Sequence, residues 1–368
     1  MRLLFVAQQF RQGWGGAPES VRLMANQLRR EGFVSDVFDN GLHHRDVGAL
    51  ALLPEAGTAV PRFDHARAGE YDAIILTGPW QKPGAIRKLL AAREARQKIF
   101  YLPRGGLGRA EFKRPRDIKK VPYFFLVERG FLKGADGVVF SSQAEARLTM
   151  PFARNLAEPH VIPDFVSHVE SPPAASDGAD GPVTLSFLAE ISPRKGLLPL
   201  VEGFIAWSRA NDGRDRARLR VGGAVRPGSE RYLATVHAAA NAAKGHAAIE
   251  FLGSVHHGDR DRFYTDTDLM VVSSSFESYG LTVIEALAHG CALLCCPDVG
   301  ALEYLSPEQP VVTARGADAA AISEALAKAI PTARRTQAQR AGHRAGAATA
   351  IDAINERARQ GWARLLHG

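Results

Sequence analysis

Residues Asp268–Gly300 read DLMVVSSSFESYGLTVIEALAHGCALLCCPDVG, and this stretch decides the fold. Its pattern predicts a strand at Leu269–Val272, a polar turn, a helix at Gly280–His289 and a second strand at Cys291–Cys296. Such a βαβ unit has parallel strands with the helix on one face. Gly290 suits the left-handed residue that ends a helix, and the second strand is apolar enough to be buried on both faces.

The turn between this strand and this helix is predicted to bind an anion. It lies at the carboxyl end of the strand and faces the helix amino terminus, where unpaired N–H groups and the helix dipole favour negative charge. Two glutamates flank it, Glu277 in the turn and Glu285 on the helix. Because a carboxylate repels a phosphate, these side chains are suited to accept hydrogen bonds from hydroxyl groups on either side of the phosphates. A ligand with hydroxyls, phosphates and hydroxyls in that order is a nucleotide sugar.

The segment from Phe276 to Gly290, FESYGLTVIEALAHG, resembles the Glu-x7-Glu signature of retaining GT-B glycosyltransferases of the glycosyltransferase 4 type. The resemblance implies that Glu277 contacts the donor sugar in catalysis and that Glu285 holds the ribose. It also implies that the backbone amides of the turn bind the sugar and the diphosphate. The residues of that turn are Ser278, Tyr279, Gly280 and Leu281.

Both glutamates also have an ordinary structural interpretation. Thr282 and Glu285 have the spacing of a capping box, in which Glu285 only ties down the start of the helix. Glu277 also fits a solvated turn residue. The order of strand, turn, helix, glycine and strand favours the functional interpretation of the two residues together.

Length and composition indicate a globular protein of two domains. The chain has 368 residues, which exceeds one ordinary core, and 46% of them are hydrophobic and 23% charged. No apolar run is long enough to span a bilayer, and the first residues turn polar too early for a signal peptide, so we expect a cytoplasmic protein. The three cysteines, all within Cys291–Cys296, are expected to be core residues without a metal or redox role.

Positive charge is concentrated in one window. The formal net charge is +7, and Lys82–Lys133 holds fifteen basic and four acidic residues. Such a patch suits an anionic membrane surface, a pyrophosphate-bearing lipid or nucleic acid, whereas a solvated helix at Ala85–Lys98 is the structural alternative. We expect no nucleic-acid binding, because neither a stacking-aromatic pattern nor a helix-turn-helix accompanies the charge.

The start of the chain has the pattern of a nucleotide-binding α/β domain. A strand at Arg2–Gln8 is followed by a glycine loop and an amphipathic helix at Glu19–Glu31. The resemblance implies that Gly15 and Gly16 pack against the donor diphosphate, and a tight βα turn is the alternative. Later, the turn at Pro103–Leu107 resembles a proline-arginine-glycine turn in a bacterial polysaccharide-building branch of the family. Its arginine, Arg104, is suited to bind the acceptor, and a structural salt bridge is equally compatible.

A second series of strands and helices begins at Val183. In the family, the loop after this strand carries an arginine and a lysine that neutralise the donor phosphates. Lys195 matches that lysine, but Glu190 stands where the arginine is expected. A carboxylate does not replace a guanidinium toward phosphate. Two alternatives follow: Arg194 takes over the charge, or Lys195 and the helix terminus hold the donor alone.

The resemblance covers nearly the whole chain and implies the GT-B fold, an α/β architecture of two Rossmann-like doubly wound domains that face each other across a cleft. We expect four parts. These are an acceptor domain at 1–166, a linker at 167–182, a nucleotide-sugar donor domain at 183–345, and a helix at 346–368 that crosses back to the first domain.

The implied function is transfer of a sugar, with retention, from a UDP- or GDP-sugar to a saccharide or lipid-linked saccharide acceptor in cell-surface polysaccharide synthesis, including lipopolysaccharide. We expect no cofactor and no metal, with Lys195 and Glu277 as the catalytic residues. The protein is expected to associate peripherally with the inner membrane face. Two alternatives stay open: a nucleotide-sugar-binding module with impaired catalysis, and a GT-B epimerase or phosphorylase.

Overall fold

The computed structural model describes residues 1–7, 16–39, 65–112, 119–169, 181–211, 216–243 and 245–368. Contacts between residues divide the chain into two compact units. The first comprises Met1–Phe165 together with Ile354–Gly368, and the second comprises Val166–Ala353.

The first unit is built on a six-stranded parallel sheet with strand order β2-β1-β3-β4-β5-β6. Its strands are β1 (Arg2–Ala7), β2 (Val34–Asp39), β3 (Ala73–Thr77), β4 (Lys98–Leu102), β5 (Gly137–Phe140) and β6 (Pro159–Val161). Its helices are α1 (Gly16–Arg30), α2 (Pro83–Ala91), α3 (Lys120–Tyr123), α4 (Arg129–Lys133), α5 (Gln143–Leu148) and α6 (Pro151–Arg154), with a π-helical turn at Phe124–Glu128 and 3₁₀ turns at His65–Glu70 and Arg109–Phe112. The apolar runs of β3 and β4 are buried on both faces, as expected for a parallel sheet covered by helices.

The second unit has its own six-stranded parallel sheet, with order β12-β11-β10-β7-β8-β9. Its strands are β7 (Val183–Leu188), β8 (Ala217–Gly222), β9 (Ala248–Gly253), β10 (Leu269–Val272), β11 (Ala292–Cys295) and β12 (Val311–Thr313). The helices are α7 (Leu197–Asn211), α8 (Glu230–Ala242), α9 (Arg260–Thr265), α10 (Leu281–Ala288) and α11 (Ala319–Ala338), with 3₁₀ turns at Pro193–Lys195, His257–Asp259 and Gly300–Tyr304. Helix α12 (Arg340–His367) begins in this unit and belongs to the first unit from Ile354 onward. The two units, each an α/β structure built on a six-stranded parallel sheet, confirm the predicted fold class.

The βαβ unit predicted from the sequence is confirmed. Strands β10 and β11 are parallel, with Leu269 opposite Ala292 and Val272 opposite Cys295. Gly290 has a φ angle of +75°, the left-handed conformation predicted for the end of the helix. All three cysteines are free and buried, and burial raises the pKa of the Cys291 thiol to about 12, which fits a core role.

The end of α12 packs on the first sheet. Ala358, Trp362 and Leu366 are buried in one apolar cluster with Phe5 and Phe100. Their spacing of four residues places all three on one side of the helix. The chain therefore leaves the first unit near Phe165 and returns to it near Ile354.

One helix is shorter than its sequence pattern indicated. A helix at Ala85–Lys98 was expected as the solvated alternative to a binding patch, but α2 ends at Ala91 and Lys98 already belongs to β4. The side chain of Gln97 accepts a hydrogen bond from the backbone N–H of Glu94 at 2.7 Å, and this contact stabilises a turn instead of another helical turn.

None of the helices in the described part of the chain combines the length and apolar character that a membrane span requires.

Candidate functional site

The strand order of the second sheet predicts where a ligand binds. From β7 the chain moves outward through β8 and β9, and then β10 returns to the opposite side of β7. In an open parallel sheet, the carboxyl ends of two strands that diverge in this way form a crevice suited to ligands. Here the crevice is bordered by the loop after β7 (residues 189–196) and the turn after β10 (residues 273–280).

The two segments that border the crevice are hydrogen-bonded to each other. The hydroxyl of Ser273 donates to the backbone oxygen of Lys195 at 3.0 Å. The backbone N–H of Ser275 donates to the backbone oxygen of Arg194 at 3.1 Å. Gly196 has a φ of +69°, and a Cβ atom there would lie 2.0 Å from the carbonyl oxygen of Ser273. Only glycine fits this close approach, which keeps Lys195 beside the turn.

Lys195 and Glu277 form an ion pair in this crevice. The Lys195 Nζ atom lies 2.5 Å from Glu277 Oε1, and the Ser274 hydroxyl donates to the same oxygen, also at 2.5 Å. Both charged side chains are mostly buried, at 16% and 15% exposure. The two residues that were predicted from distant sequence motifs to be catalytic are therefore in direct contact.

The environment keeps Glu277 ionised. Burial alone would raise the pKa of its carboxyl group, but the charges of Lys195 and Arg194 and the hydrogen bonds from Lys195 and Ser274 together lower it. For Lys195, burial lowers the pKa by more than the charge of Glu277 raises it. The carboxylate is thus fixed as an anion and a hydrogen-bond acceptor, and the solvated-turn alternative for Glu277 is wrong.

The backbone of Glu277 is held as firmly as its side chain. Its N–H donates to the carbonyl of Asp298 at 2.9 Å, and its carbonyl accepts from the N–H of Gly300 at 3.1 Å. Glu277 also forms an isolated parallel bridge with Val299. The turn is therefore supported from both sides, which pre-organises the carboxylate.

The amino terminus of α10 offers hydrogen-bond donors at the same crevice. Its N-cap, Gly280, has a φ of +101° and no side chain caps the helix. Within the described residues, the N–H groups of Gly280, Leu281 and Thr282 have no hydrogen-bond acceptor. Three free donors at the positive end of a helix are suited to a phosphate group.

Glu285 binds neighbours from α9 instead of the helix backbone. Arg260 Nη2 donates to its Oε2 at 2.6 Å, and the Tyr264 hydroxyl donates to the same oxygen. Burial raises the pKa of Tyr264 well above its usual value, so this hydroxyl is a neutral donor. The capping-box alternative is therefore wrong. The Oε1 atom of Glu285 has no partner in the part of the chain that is described, and the side chain is 27% exposed.

Glu190, the residue that departs from the family pattern, has a guanidinium beside it. Arg226 Nη1, from the loop after β8, lies 3.7 Å from Glu190 Oε1. The backbone supports this contact, because the N–H of Arg226 donates to the carbonyl of Ile191 at 3.1 Å. Arg226 was not identified from the sequence, since its approach depends on β7 and β8 being neighbours. Arg260 and Tyr264 were missed for a similar reason, since their contact with Glu285 depends on which helices are neighbours. Ser274 was also missed, although its contact with Glu277 lies within one turn.

The remaining predicted residues belong to the first unit. Gly15 lies outside the described residues, and Gly16 is the first residue of α1. Arg104, with a φ of +51°, forms a buried ion pair with Asp164, in which the two side chains are 9% and 7% exposed. A pocket lined in part by Leu102, Ser141 and Trp362 adjoins this pair. The structure thus places Arg104 in the salt bridge that the sequence left open.

The segment Asp266-Thr267-Asp268 contains two carboxylates separated by one residue. In the structure this segment precedes β10, and Asp268 Oδ2 accepts a hydrogen bond from the backbone N–H of Thr184 at 2.9 Å. That contact joins two adjacent strands of the second sheet. Asp268 therefore has a structural role at the amino-terminal edge of the sheet, away from the strand ends that border the crevice.

A family model matches the second part of the chain, and solved structures of similar fold superpose over its whole length. Residues 173–345 match the family model described as Glycosyl transferases group 1. Sucrose-phosphate synthase from Thermosynechococcus elongatus superposes with a TM-score of 0.73 at 18% identity, over 100% of this chain and 99% of that one. The chain has the GT-B glycosyltransferase fold. Anabaena HepE in complex with UDP-glucose gives 0.72 at 17% identity, over 99% and 100% of the two chains.

A third GT-B neighbour is a glycosyltransferase from Rickettsia africae, with a TM-score of 0.70 at 15% identity over 99% of this chain and 98% of that one. A search of curated proteins gives no match for this chain. The family match spans β7 to the first turn of α12, so it contains the Lys195–Glu277 pair, the start of α10, and Glu285.

Proposed function

We propose that this protein is a retaining glycosyltransferase of the glycosyltransferase 4 type. It would transfer a sugar from a UDP- or GDP-sugar to a hydroxyl group of a saccharide or lipid-linked saccharide in cell-surface polysaccharide synthesis. The observation that carries this proposal is the contact between Lys195 and Glu277 beside the unpaired N–H groups of Gly280–Thr282. A cation, free amides and a hydroxyl-accepting carboxylate match, in order, the diphosphate and sugar of such a donor.

Departure of the nucleotide diphosphate is the step that these groups would promote. As the bond between the anomeric carbon and the phosphate oxygen breaks, negative charge grows on the outer phosphate. Lys195 and the first N–H groups of α10 stabilise that charge more in the transition state than in the ground state, because they are already in position. No metal is required for this stabilisation, and transfer in the presence of EDTA tests that point.

Glu277 would orient the donor sugar through its hydroxyl groups. Its carboxylate is held by Lys195 and Ser274, so it can accept hydrogen bonds without rearrangement. On the other side, Glu285 would hold the ribose through its unpaired oxygen while Arg260 and Tyr264 fix the other oxygen. Arg260 and Tyr264 would thus act through Glu285 as positioning residues.

Retention requires the acceptor oxygen to enter on the face that the phosphate leaves. In the proposed step, the new bond forms between the acceptor oxygen and the anomeric carbon as the phosphate bond breaks, and the leaving phosphate oxygen takes the proton of the acceptor hydroxyl. Electrons and protons balance without an enzymic nucleophile. The anomeric configuration of the product, measured by NMR, tests retention, and an inverted product contradicts it.

The alternative of a nucleotide-sugar-binding module rests on Glu190. The contact with Arg226 favours an active enzyme, because it brings a guanidinium beside Glu190, the position at which the family pattern has an arginine. Calorimetry with a panel of UDP- and GDP-linked hexoses, followed by measurement of nucleotide diphosphate release with and without saccharide acceptors, separates the two. Binding without turnover on any acceptor would support the module, and release that depends on the acceptor supports the enzyme.

The site of action is proposed to be the cytoplasmic face of the inner membrane. A lipid-linked acceptor resides there, and the window Lys82–Lys133 carries the positive charge that attracts anionic lipids. The association would be peripheral.

A further inference from the structure

A short helical segment of the first unit presents one unusual surface to solvent. It consists of α3, the π-helical turn and α4 and runs from Lys119, the residue before α3, to Lys133. Six of its exposed residues share one side, because each lies three or four positions from another member of the set. This surface, termed the 119–133 face, comprises Lys119, Pro122, Phe125, Leu126, Arg129 and Lys133.

The centre of the 119–133 face is apolar. Leu126 is 78% exposed and Phe125 is 52% exposed, and no other large apolar side chain in the described residues is as exposed as either of them. They are adjacent in sequence. The segment beneath them is anchored, since Phe124 and Leu132 are completely buried in the core of the first unit. The two exposed side chains are thus held outward on a fixed support.

The rim of the 119–133 face is positively charged. Lys119, Arg129 and Lys133 are exposed on either side of the apolar centre. The only acid between Lys119 and Lys133 is Glu128, which is 2% exposed and accepts hydrogen bonds from the hydroxyl of Tyr101 and the backbone N–H of Trp80. The face therefore presents cations and no exposed anion.

More positive charge lies nearby on α2. The hydroxyl of Tyr123 donates to the carbonyl of Gln81 at 2.5 Å, which places the start of α2 beside the segment. Lys82, Arg87 and Lys88 are all exposed there. An apolar centre with a wide basic surround matches the interfacial region of a bilayer that contains anionic lipids.

We propose that the 119–133 face docks on an anionic lipid bilayer, with Leu126 and Phe125 entering the boundary between headgroups and acyl chains. Lys119, Arg129 and Lys133 then contact the anionic headgroups. A second copy of this chain is a poorer occupant, because a two-fold contact would bring two basic surfaces together. The inference deepens the proposed function and rests on it for the peripheral membrane association, to which it assigns specific residues.

Vesicle binding by the full-length protein tests this surface. Wild-type protein is expected to co-sediment with vesicles of phosphatidylcholine and phosphatidylglycerol at low salt, and to dissociate as salt rises. Leu126→Ser should lower the partition coefficient for vesicles about ten-fold, because the variant no longer transfers a leucine side chain from water into the bilayer. Removing the charge of one rim residue should weaken it about five-fold, and Arg129→Glu with Lys133→Glu should weaken it by more.

Matched controls separate these effects from general changes. Val34→Ser removes another exposed apolar side chain, 51% exposed on the edge strand β2, and Arg231→Glu reverses a charge on the exposed side of α8. Both should bind vesicles as wild type does. Circular dichroism and calorimetric binding of the nucleotide sugar should be unchanged in all variants. Failure of the wild type to bind any nucleotide sugar would overturn the proposed function alone, because vesicle binding is measured without donor.

Three results overturn the surface assignment. The first is wild-type affinity for anionic vesicles in both Leu126→Ser and the Arg129→Glu, Lys133→Glu variant. The second is equal binding to pure phosphatidylcholine, or no binding even at low salt. The third is a wild-type dimer in analytical ultracentrifugation that Leu126→Ser dissociates, which would assign the face to self-association.

Discussion

Two ion pairs of this protein have the same chemistry and different surroundings. Lys195–Glu277 in the second unit and Arg104–Asp164 in the first both lie at the carboxyl ends of strands in a parallel sheet. The Lys195–Glu277 pair adjoins unpaired N–H groups at the start of α10 and retains about 15% exposure of each side chain. The Arg104–Asp164 pair is more deeply buried, with side chains that are 9% and 7% exposed.

The comparison shows that position at a strand's carboxyl end is not sufficient for a ligand site. A pair becomes useful for binding when further donors surround it and when solvent, and hence a ligand, reaches it. The side chains of Arg104 and Asp164 have less of that access, so we expect this pair to contribute mainly to the stability of the first unit. Breaking each pair should therefore produce different losses.

The largest expected effect is on catalysis. Glu277→Gln keeps the shape of the side chain but removes the charge that Lys195 and Ser274 hold in place. We expect kcat/KM for sugar transfer to fall about 1,000-fold, which is the range for loss of one pre-organised polar group. Circular dichroism should show an unchanged fold. Glu202→Gln, an exposed change on α7, is the control. Full activity of Glu277→Gln would remove this residue from the site.

The next effect is on stability. Arg104→Met leaves Asp164 charged and buried without its partner, so the free energy of unfolding should drop by about 3–5 kcal/mol in chemical denaturation. Arg104→Met combined with Asp164→Leu should recover most of this loss. Calorimetric affinity for the nucleotide sugar should stay unchanged in folded protein. A large loss of affinity with normal stability would instead assign Arg104 to ligand binding.

A smaller effect concerns pH. The pKa of Glu277 is lowered from 4.5 in the folded state, so its ionisation stabilises the fold fully above pH 4.5, and this contribution is lost as pH falls through the lowered pKa. The difference in unfolding free energy between wild type and Glu277→Gln should thus be constant from pH 4.5 up to the pH at which Lys195 loses its proton, and it should shrink below pH 4.5. Denaturation at a series of pH values measures this. A difference that grows on acidification would contradict the assigned direction.

The smallest effect is expected at Arg226, whose side chain is 47% exposed. Arg226→Ala should weaken donor binding about three-fold, since a half-exposed guanidinium interacts modestly through solvent. Arg231→Ala, on α8, is the matched control. Unchanged affinity in Arg226→Ala would mean that Lys195 and the start of α10 hold the phosphates without this guanidinium.

The local pattern of the sequence was sufficient to predict the strands and helix around Glu277 and the turn that carries it. Alternation of apolar runs with polar turns located β10, α10 and β11, and Gly290 marked the helix end by its need for a left-handed conformation. These features depend on neighbours within a few residues. The same reasoning overextended α2 to Lys98, because helix propensity alone does not register the turn that Gln97 stabilises.

Contacts between distant segments could not be predicted from the sequence. Lys195 and Glu277 are 82 positions apart, and their pairing depends on β7 and β10 being adjacent in the sheet. The approach of Arg226 to Glu190 and of Arg260 to Glu285 likewise depends on which strands and helices are neighbours. The sequence also does not indicate that Phe125 and Leu126 lie in a π-helical turn and are exposed.

The central claim is that Lys195, paired with Glu277 at the start of α10, binds the diphosphate of a nucleotide sugar. Calorimetric titration of UDP- and GDP-linked hexoses into wild type and Lys195→Met tests it most directly. We predict that one donor binds the wild type and that Lys195→Met binds it at least about ten-fold more weakly, since a charge-assisted contact is lost. Equal affinities in the two proteins would contradict the claim, as would a wild type that binds none of these donors.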